Sequence, residues 1–404
     1  MTKCGIDIIE ISRIQNAVQK NSRFPEKVFS AREIEYFRSH GCRFETLAGF
    51  FAAKEAFSKF LGCGISGHEF LRSTEILHGT SGAPYICFRG QQSRASVSIS
   101  HNRTNAVAVV CGESLYFKDE HSTKMAQLLP KRADDANKGS CGRAFIVAGS
   151  TGMTGAAYLS ARAALRSGSG LVTVATPSSE QCILACKLTE AMTLPLPCSN
   201  GIITRDSIPV ILENITSANA AAIGPGLGKS DDIVLIVEEL LKTYTGTLII
   251  DADGINALSR NIDILKSKRC SVILTPHPGE MSRLAACPIS QIQATREKTA
   301  SEFARRYGVF VVLKGKDTVI AAPDGKPEIN PTGNCGMATG GTGDVLTGVI
   351  TAFAAQGAAP FDAAVLGTYI HGKAGDIAAE KKGIHGLIAG DVAEALPDAI
   401  MTLY

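Results

Sequence analysis

From about residue 143 onward the chain is punctuated by short runs that are apolar at nearly every position: "RAFIVAG", "GLVTVAT", "ANAAAIG", "GTLIIDAD", "SVILTPH" and "VFVVLKG". Helical patterns fill the intervals. A strand with one solvated face alternates polar and apolar residues, whereas a strand covered on both faces is apolar throughout. Continuous runs alternating with helices therefore predict a three-layer α/β domain with a largely parallel sheet. Glycines gather just after several of these runs, and open α/β sheets bind ligands outside the carboxyl ends of their strands.

The first hundred residues have another rhythm. Residues 2–11 alternate like a strand, and "SRIQNAVQK" opens a helix with Ser12 as its N-cap. Further helices are expected over 31–39 and 46–61, and "APYICF" and "ASVSISH…NAVAVVCG" read as strands rich in β-branched residues. The mixture predicts an α+β module. The segment that follows, "ESLYFKDEHSTKMAQ", is polar and lacks sustained periodicity. The expected organisation is a module over 1–116, a linker over 117–127 and a second domain over 128–404.

A net charge of +3 is too small to argue for a nucleic-acid partner, although residues 1–117 carry fourteen Lys/Arg against ten Asp/Glu and so favour an acidic one. Twelve cysteines are scattered without a CxxC, the pattern of reduced thiols in a cytosolic protein. Lys3, Asp7 and Glu10 interrupt any signal-peptide core at the start, and no apolar run reaches the length of a membrane span. The expectation is a soluble, cytoplasmic protein.

Asp7 lies in the apolar strand "CGIDIIEI", where a carboxylate is costly to bury unless it is paired, hydrogen-bonded or bound to a cation. Glu55, in the apolar helix "LAGFFAAKEAFSKF", meets the same objection. Two carboxylates plus water and phosphate oxygens suit Mg²⁺, and Lys59, one turn beyond Glu55, can neutralise the same phosphate. The bland alternative is a solvated i,i+4 pair, with His101 a structural histidine.

"GIDIIEISRI", "LAGFFAAKEAFSKFLGCGI", "SGAPYI" and "VSISH" stand in the order and spacing of holo-acyl-carrier-protein synthases, and residues 3–112 resemble that whole domain. The resemblance implies that Asp7 and Glu55 hold Mg²⁺ on the pyrophosphate of coenzyme A (CoA). It implies that Lys59, Gly62, Gly64 and His101 contact the coenzyme, and that Arg13 faces an acidic carrier. In the implied reaction, phosphopantetheinyl transfer, a serine of apo-acyl carrier protein attacks the β-phosphate and 3′,5′-ADP leaves. Either Glu55 or a metal-bound water takes the proton. The family builds its site between subunits of a trimer, so a homo-oligomer is implied. One departure is Phe50, where the family reads arginine in "AGRFAAKEA". The alternative is a domain that binds CoA or carrier protein without catalysis.

In the second domain, "GPGLGKS" satisfies neither GxxxxGK[ST] nor GxGxxG, because Ile223 and Lys229 hold the decisive places. "GNCGMATGGTGDVLTGVITAF" is more informative. Its apolar stripe starts a helix around Gly343–Asp344, and a glycine turn entering a helix exposes N–H groups that cradle phosphate. Asp344 there is either a base on a bound hydroxyl or an ordinary acidic helix start. "TPHPGE" fixes His277 and Glu280 at a strand end, either as a binding rim or as a rigid turn. "LKGKDTVI" leaves Lys314 at another strand end, where a plain hairpin is the alternative. Asp251 and Asp253 of "IIDADGIN" are equally helix caps.

Together with "NPTGN" and "HGKAGD", these motifs resemble the ADP-dependent NAD(P)H-hydrate dehydratases of the ribokinase-like superfamily, over residues 128–397. The resemblance implies that Ala156, Gly224, Gly226, His277 and Asp344 contact the hydrated nicotinamide nucleotide. Lys314, Gly315, Lys316, Asp317, Thr318 and Gly343 would hold ADP, and Asp344 would activate the C6 hydroxyl. Phosphate passes from ADP to that hydroxyl, AMP leaves, and phosphate then departs to restore NAD(P)H. Asn137 stands where the family often has histidine, and the synthase-like module stands where an epimerase domain often precedes. The rival reading is a kinase of small alcohols.

Overall fold

In the computed structural model, which describes residues 2–62, 64, 68–80, 82–113 and 120–404, the chain divides into two units, Met1–Phe117 and Lys118–Tyr404. The first unit contains β1 (Thr2–Glu10), β2 (Thr74–His78), β3 (Pro84–Phe88), β4 (Gln91–His101) and β5 (Asn105–Glu113). They form one antiparallel sheet in the order β1-β5-β4-β3-β2. The helix Phe44–Leu61 lies across it and buries Leu47, Phe57 and Phe60 against Ile86, Ala108 and Val110.

Gly5 sets how closely that helix approaches. A Cβ there would collide with the Ala56 carbonyl oxygen and the Phe60 amide, so the helix backbone rests directly on β1. Asp7 is two residues further on the same face of β1, which sets it beside Glu55 and Lys59.

Helices Ala31–Ser39 and Phe44–Leu61 match the expected positions. Ser12 does not cap the first helix, which spans Ile11–Lys20 with Glu10 before it and no side-chain cap. The Ile11 N–H donates instead to the Thr104 carbonyl at 2.9 Å. A neighbouring loop thus satisfies one of the free donors at the helix start. Of the segment expected to be a linker, residues 117–119 lie outside the described residues, while Glu120–Leu128 is a helix. Its Met125 is buried in the second unit's core. One fully buried side chain is too little to register as periodicity.

The second unit holds β6 (Arg143–Val147), β7 (Leu171–Pro177), β8 (Met192–Leu196), a short ribbon of β9 (Cys198–Ser199) and β10 (Ile202–Ile203), β11 (Ala220–Ile223), β12 (Thr247–Ile250), β13 (Ser271–Leu274), β14 (Phe310–Leu313), β15 (Thr318–Ala321) and β16 (Glu328–Asn330). The sheet runs β16-β15-β14-β13-β12-β11-β6-β7-β8. Every pairing from β14 to β8 is parallel, and β15 and β16 add an antiparallel edge. Ala220 and Ala222 face one core while Ala221 and Ile223 face the other. This double burial is why the runs are apolar throughout. The chain winds outward from β6 to β8, then returns to β11 on the other side. The carboxyl ends of β6 and β11 therefore border a topological switch point, where such sheets bind ligands.

Candidate active sites

In the first unit the Lys59 ammonium donates to Asp7 Oδ1 at 2.7 Å and to the Ile6 carbonyl at 3.0 Å. Its main partner is thus on the strand, and the bond raises Lys59 above its ordinary value. Partial burial, and then the neighbouring Asp7 carboxylate, push the Glu55 carboxyl up, while Lys59 and Arg13 pull it back. Two carboxylates crowded this way offer oxygens of the kind that hard divalent cations take. Arg13 is exposed on the first helix. Gly62 ends the long helix at φ 74° and Gly64 follows at φ 66°, both left-handed, with Cys63 outside the described residues. Register pairs Asp7 with Ala108 and Ala108 with Ile99, so His101 lies two strands across and two residues along on the same face. The structure gathers Asp7, Glu55, Lys59 and Arg13 and leaves His101 apart.

The other charge of "AAKEA" has a different role. Lys54 is fully buried and donates to Glu33 Oε2 at 2.7 Å and to the Val28 and Leu71 carbonyls at 3.0 and 2.6 Å. Glu33 accepts from the Ser30 and Ile76 amides. Burial pushes Glu33 up and Lys54 down, each opposed by its partner. Adjacent helical residues point about 100° apart, so Lys54 ties the core while Glu55 faces Asp7. Phe50 is also core: it packs 5.8 Å from both the Tyr36 and His78 rings, and Tyr36 is stacked between His40 and His78.

At the switch point of the second unit, the loops after β6 and β11 interlock. The Gly149 amide donates to the Pro225 carbonyl at 2.9 Å, and Ser150 Oγ to the Gly226 carbonyl at 2.8 Å. A Cβ on Gly224 would strike the Asp251 carbonyl, and one on Gly226 would lie 2.9 Å from the Ala156 Cβ. Asp253 Oδ2 accepts from the Gly228 amide at 2.9 Å and pins the loop. Ala156, Gly224 and Gly226 are thereby brought together.

Asp251 follows β12 and is 1% exposed. Its Oδ1 accepts from the Lys314 ammonium and its Oδ2 from Thr347 Oγ1, both at 2.7 Å. Lys314 Nζ is also 3.8 Å from Glu280 Oε2. Burial pulls Lys314 down, but Asp251, Glu280 and Asp344 together outweigh it and leave it raised. Burial, reinforced by Asp251 and opposed by Lys314, pushes Asp344 up to about 7. Burial does the same to Glu280, with Lys314 opposing and Asp251 reinforcing, again to about 7.

His277 Nδ1 accepts from the Gly279 and Glu280 amides, and Glu280 Oε2 accepts from the His277 amide, closing a capping box on helix Pro278–Ala285. Burial, Lys314 and Arg283 lower His277. Helix Thr342–Ala355 begins after Gly341 at φ 94°. A Cβ on Gly343 would lie 3.4 Å from Lys314 Nζ. The glycine turn, Asp344 and Lys314 thus lie together. Gly315, Lys316 and Asp317 are exposed on the β14–β15 turn, where Thr318 Oγ1 donates to the Gly315 carbonyl at 2.8 Å. Asn137 closes its own turn, accepting from the Gly139 and Ser140 amides. Asp251, read in the sequence as a strand-end carboxylate or helix cap, precedes helix Ala252–Leu258 without a side-chain cap, and Thr347 carried no reading. The available signal was a carboxylate directly after a doubly buried strand.

A mostly parallel sheet with a glycine turn, buried lysine and carboxyls at its strand ends defines a ribokinase-like α/β protein. Residues 144–398 match the family model for NAD(P)H-hydrate dehydratase, and residues 3–111 match the 4'-phosphopantetheinyl transferase superfamily. The chain belongs to the NAD(P)H-hydrate dehydratase family and carries a phosphopantetheinyl-transferase-like module. It is 46% identical over 276 residues to the bifunctional NAD(P)H-hydrate repair enzyme Nnr of Moorella thermoacetica, covering 68% of this chain and 52% of that protein. The chain thus spans about half the length of that relative. It is 36% identical to the ADP-dependent (S)-NAD(P)H-hydrate dehydratase of Neisseria meningitidis serogroup B, covering 70% of this chain and 93% of that one. The crystal structure of the ADP/ATP-dependent NAD(P)H-hydrate dehydratase of Bacillus subtilis, co-crystallised with ATP and Mg²⁺, superposes with a TM-score of 0.62 at 31% identity, covering 72% of this chain and all of that one.

Proposed function

We propose that the second unit dehydrates the (6S)-hydrate of NAD(P)H with ADP as phosphoryl donor. The observation that carries this is Asp344 at the entrance of helix Thr342–Ala355, close to Lys314 and the glycine turn. Asp344 takes the proton of the C6 hydroxyl, whose oxygen attacks the β-phosphorus of ADP as the bond to AMP breaks. A carboxyl near neutrality suits that transfer at physiological pH. Lys314 and the N–H groups of the helix start stabilise charge on the phosphoryl oxygens. The C6–O bond then breaks and phosphate leaves. The test is to incubate the full chain with ADP and hydrate. Equal yields of AMP and NAD(P)H support the reading; a stable phosphorylated product without NAD(P)H points instead to a small-alcohol kinase.

We propose that the first unit transfers phosphopantetheine from CoA to a serine of apo-acyl carrier protein. The paired carboxylates Asp7 and Glu55, with Lys59 on Asp7, support this. They would hold Mg²⁺, which when bound neutralises pyrophosphate charge. Lys59 supplies a further positive charge, and exposed Arg13 suits an acidic carrier. Ile6 and Ile8 are 58% and 66% exposed on the opposite face of β1, which supports self-association, a trimer being the form the family implies. Both reactions use cytoplasmic nucleotides. Weighing apo-carrier by mass spectrometry after incubation with CoA and Mg²⁺ tests the transfer. A phosphopantetheine adduct lost in Glu55→Ala supports it, and no adduct leaves a binding domain.

A further inference from the structure

Asp251 joins the two sides of the second unit's candidate site. Its amide donates to the Ile223 carbonyl at 3.1 Å, and its own carbonyl packs on Gly224, where a Cβ would collide with it. Its side chain reaches Lys314 at the end of β14 and Thr347 in helix Thr342–Ala355. We propose that Asp251 is a positioning residue: locked by Thr347, it holds the Lys314 ammonium against the glycine turn, to meet the phosphoryl group as it passes from ADP to the C6 oxygen. This assignment rests on the dehydratase reading above.

An aspartate before a helix ordinarily caps it. Asp251 precedes helix Ala252–Leu258 but makes no side-chain bond to its amides, so that role does not account for it. Both carboxylate oxygens are used elsewhere, Oδ1 by Lys314 Nζ and Oδ2 by Thr347 Oγ1, each at 2.7 Å. Donors from two separate elements thereby fix the group. The ammonium it holds lies at the helix start: a Cβ on Gly343 would be 3.4 Å from Lys314 Nζ and 3.9 Å from Asp251 Oδ2. The backbone beside Asp251 is strained. Ala252 stands at φ 45°, a left-handed conformation that a residue with a Cβ keeps only where its surroundings impose it. Thr347 is fully buried and lies one turn beyond Asp344, so the lock and the proton acceptor share one face of the helix.

The same charge governs how its neighbours titrate. Lys314 faces Asp251, Glu280 and Asp344, and of these Asp251 raises it most. Asp344 faces Asp251, Lys314, Asp253 and Glu280, and Asp251 raises it too. His277 and His371 also face Lys314, but burial and Lys314 itself lower both, so neither brings a full charge at neutral pH. Removing the Asp251 charge therefore lowers Asp344, whose ionised form takes the hydroxyl proton. It also lowers Lys314, whose charged form meets the phosphoryl oxygens. Both limbs of the pH–rate profile then move to lower pH. A residue that only held the fold together would slow the reaction and leave both limbs in place.

The test is AMP formation from ADP and the (6S)-hydrate by the full chain, followed between about pH 5 and 10. Asp251→Asn is expected to lower kcat by about 100-fold, the usual cost of a misplaced group. Its acid limb should lie below that of the parent. It should also show an alkaline limb in this range that the parent lacks, because the parent's Lys314 is raised above the ordinary 10.5. Thr347→Val keeps the carboxylate and the lysine and removes only the lock. It is expected to lose about tenfold in kcat, the worth of a hydrogen bond to a charged group, with KM for the hydrate unchanged, and Thr347→Ser should restore the rate. A cooperative unfolding transition of the second unit shows that a variant is folded; if Asp251→Asn is not, the Val and Ser pair decides. Limbs that stay at the parent positions in folded Asp251→Asn, or parent kcat in Thr347→Val, overturn the proposal. If the parent itself makes no AMP from ADP and hydrate, the dehydratase reading has failed, and the role of Asp251 with it.

Discussion

Both units set carboxylates around a lysine, yet water reaches the two groups differently. Lys59 is 52% exposed over an Asp7 carboxylate that is 10% exposed, whereas Lys314 is 19% exposed and Asp251 and Glu280 are almost fully covered. In the open site a carboxylate pair keeps charge that a cation can neutralise. In the covered site the same charges are poorly screened, and two carboxyls rise to about 7 around one ammonium. Similar parts are thus placed in different surroundings, which is what the two proposed activities, one using a metal and a pyrophosphate and one moving protons, would require.

The largest effect that tests this contrast is on turnover. Asp344→Asn is expected to lower both AMP and NAD(P)H formation by roughly 10²–10⁴-fold, the usual worth of a positioned base. Phosphopantetheine transfer by the same protein should keep its rate. Loss of both activities, followed in parallel on one preparation, would break the division of labour between the two groups.

Next is the buried pair of the first unit. Lys54→Met leaves Glu33 charged and covered, and removing one partner of such a pair costs about 3–5 kcal/mol. Denaturant unfolding of the full chain should show an earlier transition for the first unit with the dehydratase unaffected. Phe50→Arg is expected to act in the same direction: its side chain lies among Tyr36 and His78, where an unpaired cation is costly. An arginine is therefore not expected to be accommodated here by one substitution, and a stable Phe50→Arg protein with faster transfer would show otherwise.

How much of this was legible beforehand depended on whether an interaction is local. The parallel sheet was readable because burial on both faces is written into every residue of strands such as Ala220–Ile223. Asp7, Glu55 and Lys314 stood out because a charge in an apolar run demands a partner, and Asp344 because a glycine turn enters its helix. What stayed hidden were pairings across the chain. Lys59 binds Asp7 fifty-two residues away, Lys54 binds Glu33, and Asp251 joins Lys314 to Thr347. None of these follows from spacing. The Thr104 carbonyl that accepts from the Ile11 amide at the first helix start was hidden for the same reason.

A smaller effect concerns stability against pH. Asp344 titrates near 7 when folded against an ordinary value of 3.8, so between those values the folded chain holds a proton that the unfolded chain has lost. Stability from this group is therefore full below about pH 4 and declines as pH rises through 7. Asp344→Asn removes the decline. The variant should match the parent near pH 4 and exceed it by on the order of 4 kcal/mol at pH 8, measured by denaturant unfolding at each pH. Equal stability at both pH values would mean that the carboxyl is solvated and the pocket open, erasing the difference between the two sites.

The smallest effect separates the two lysines directly. Lys59→Met removes an ion pair at the surface, where such pairs contribute well under about 1 kcal/mol, so the unfolding midpoint of the first unit should barely move. Salt sharpens the point. At about 0.5 M, charges in contact with solvent are screened over a few ångströms, so the small cost of Lys59→Met should vanish. Lys314→Met leaves Asp251 uncompensated in a covered site, and its cost should persist. A Lys59 effect that survives high salt would place the Asp7 pair in the same dry environment as Asp251, and the first site would then have to hold its carboxylates by burial rather than by a cation.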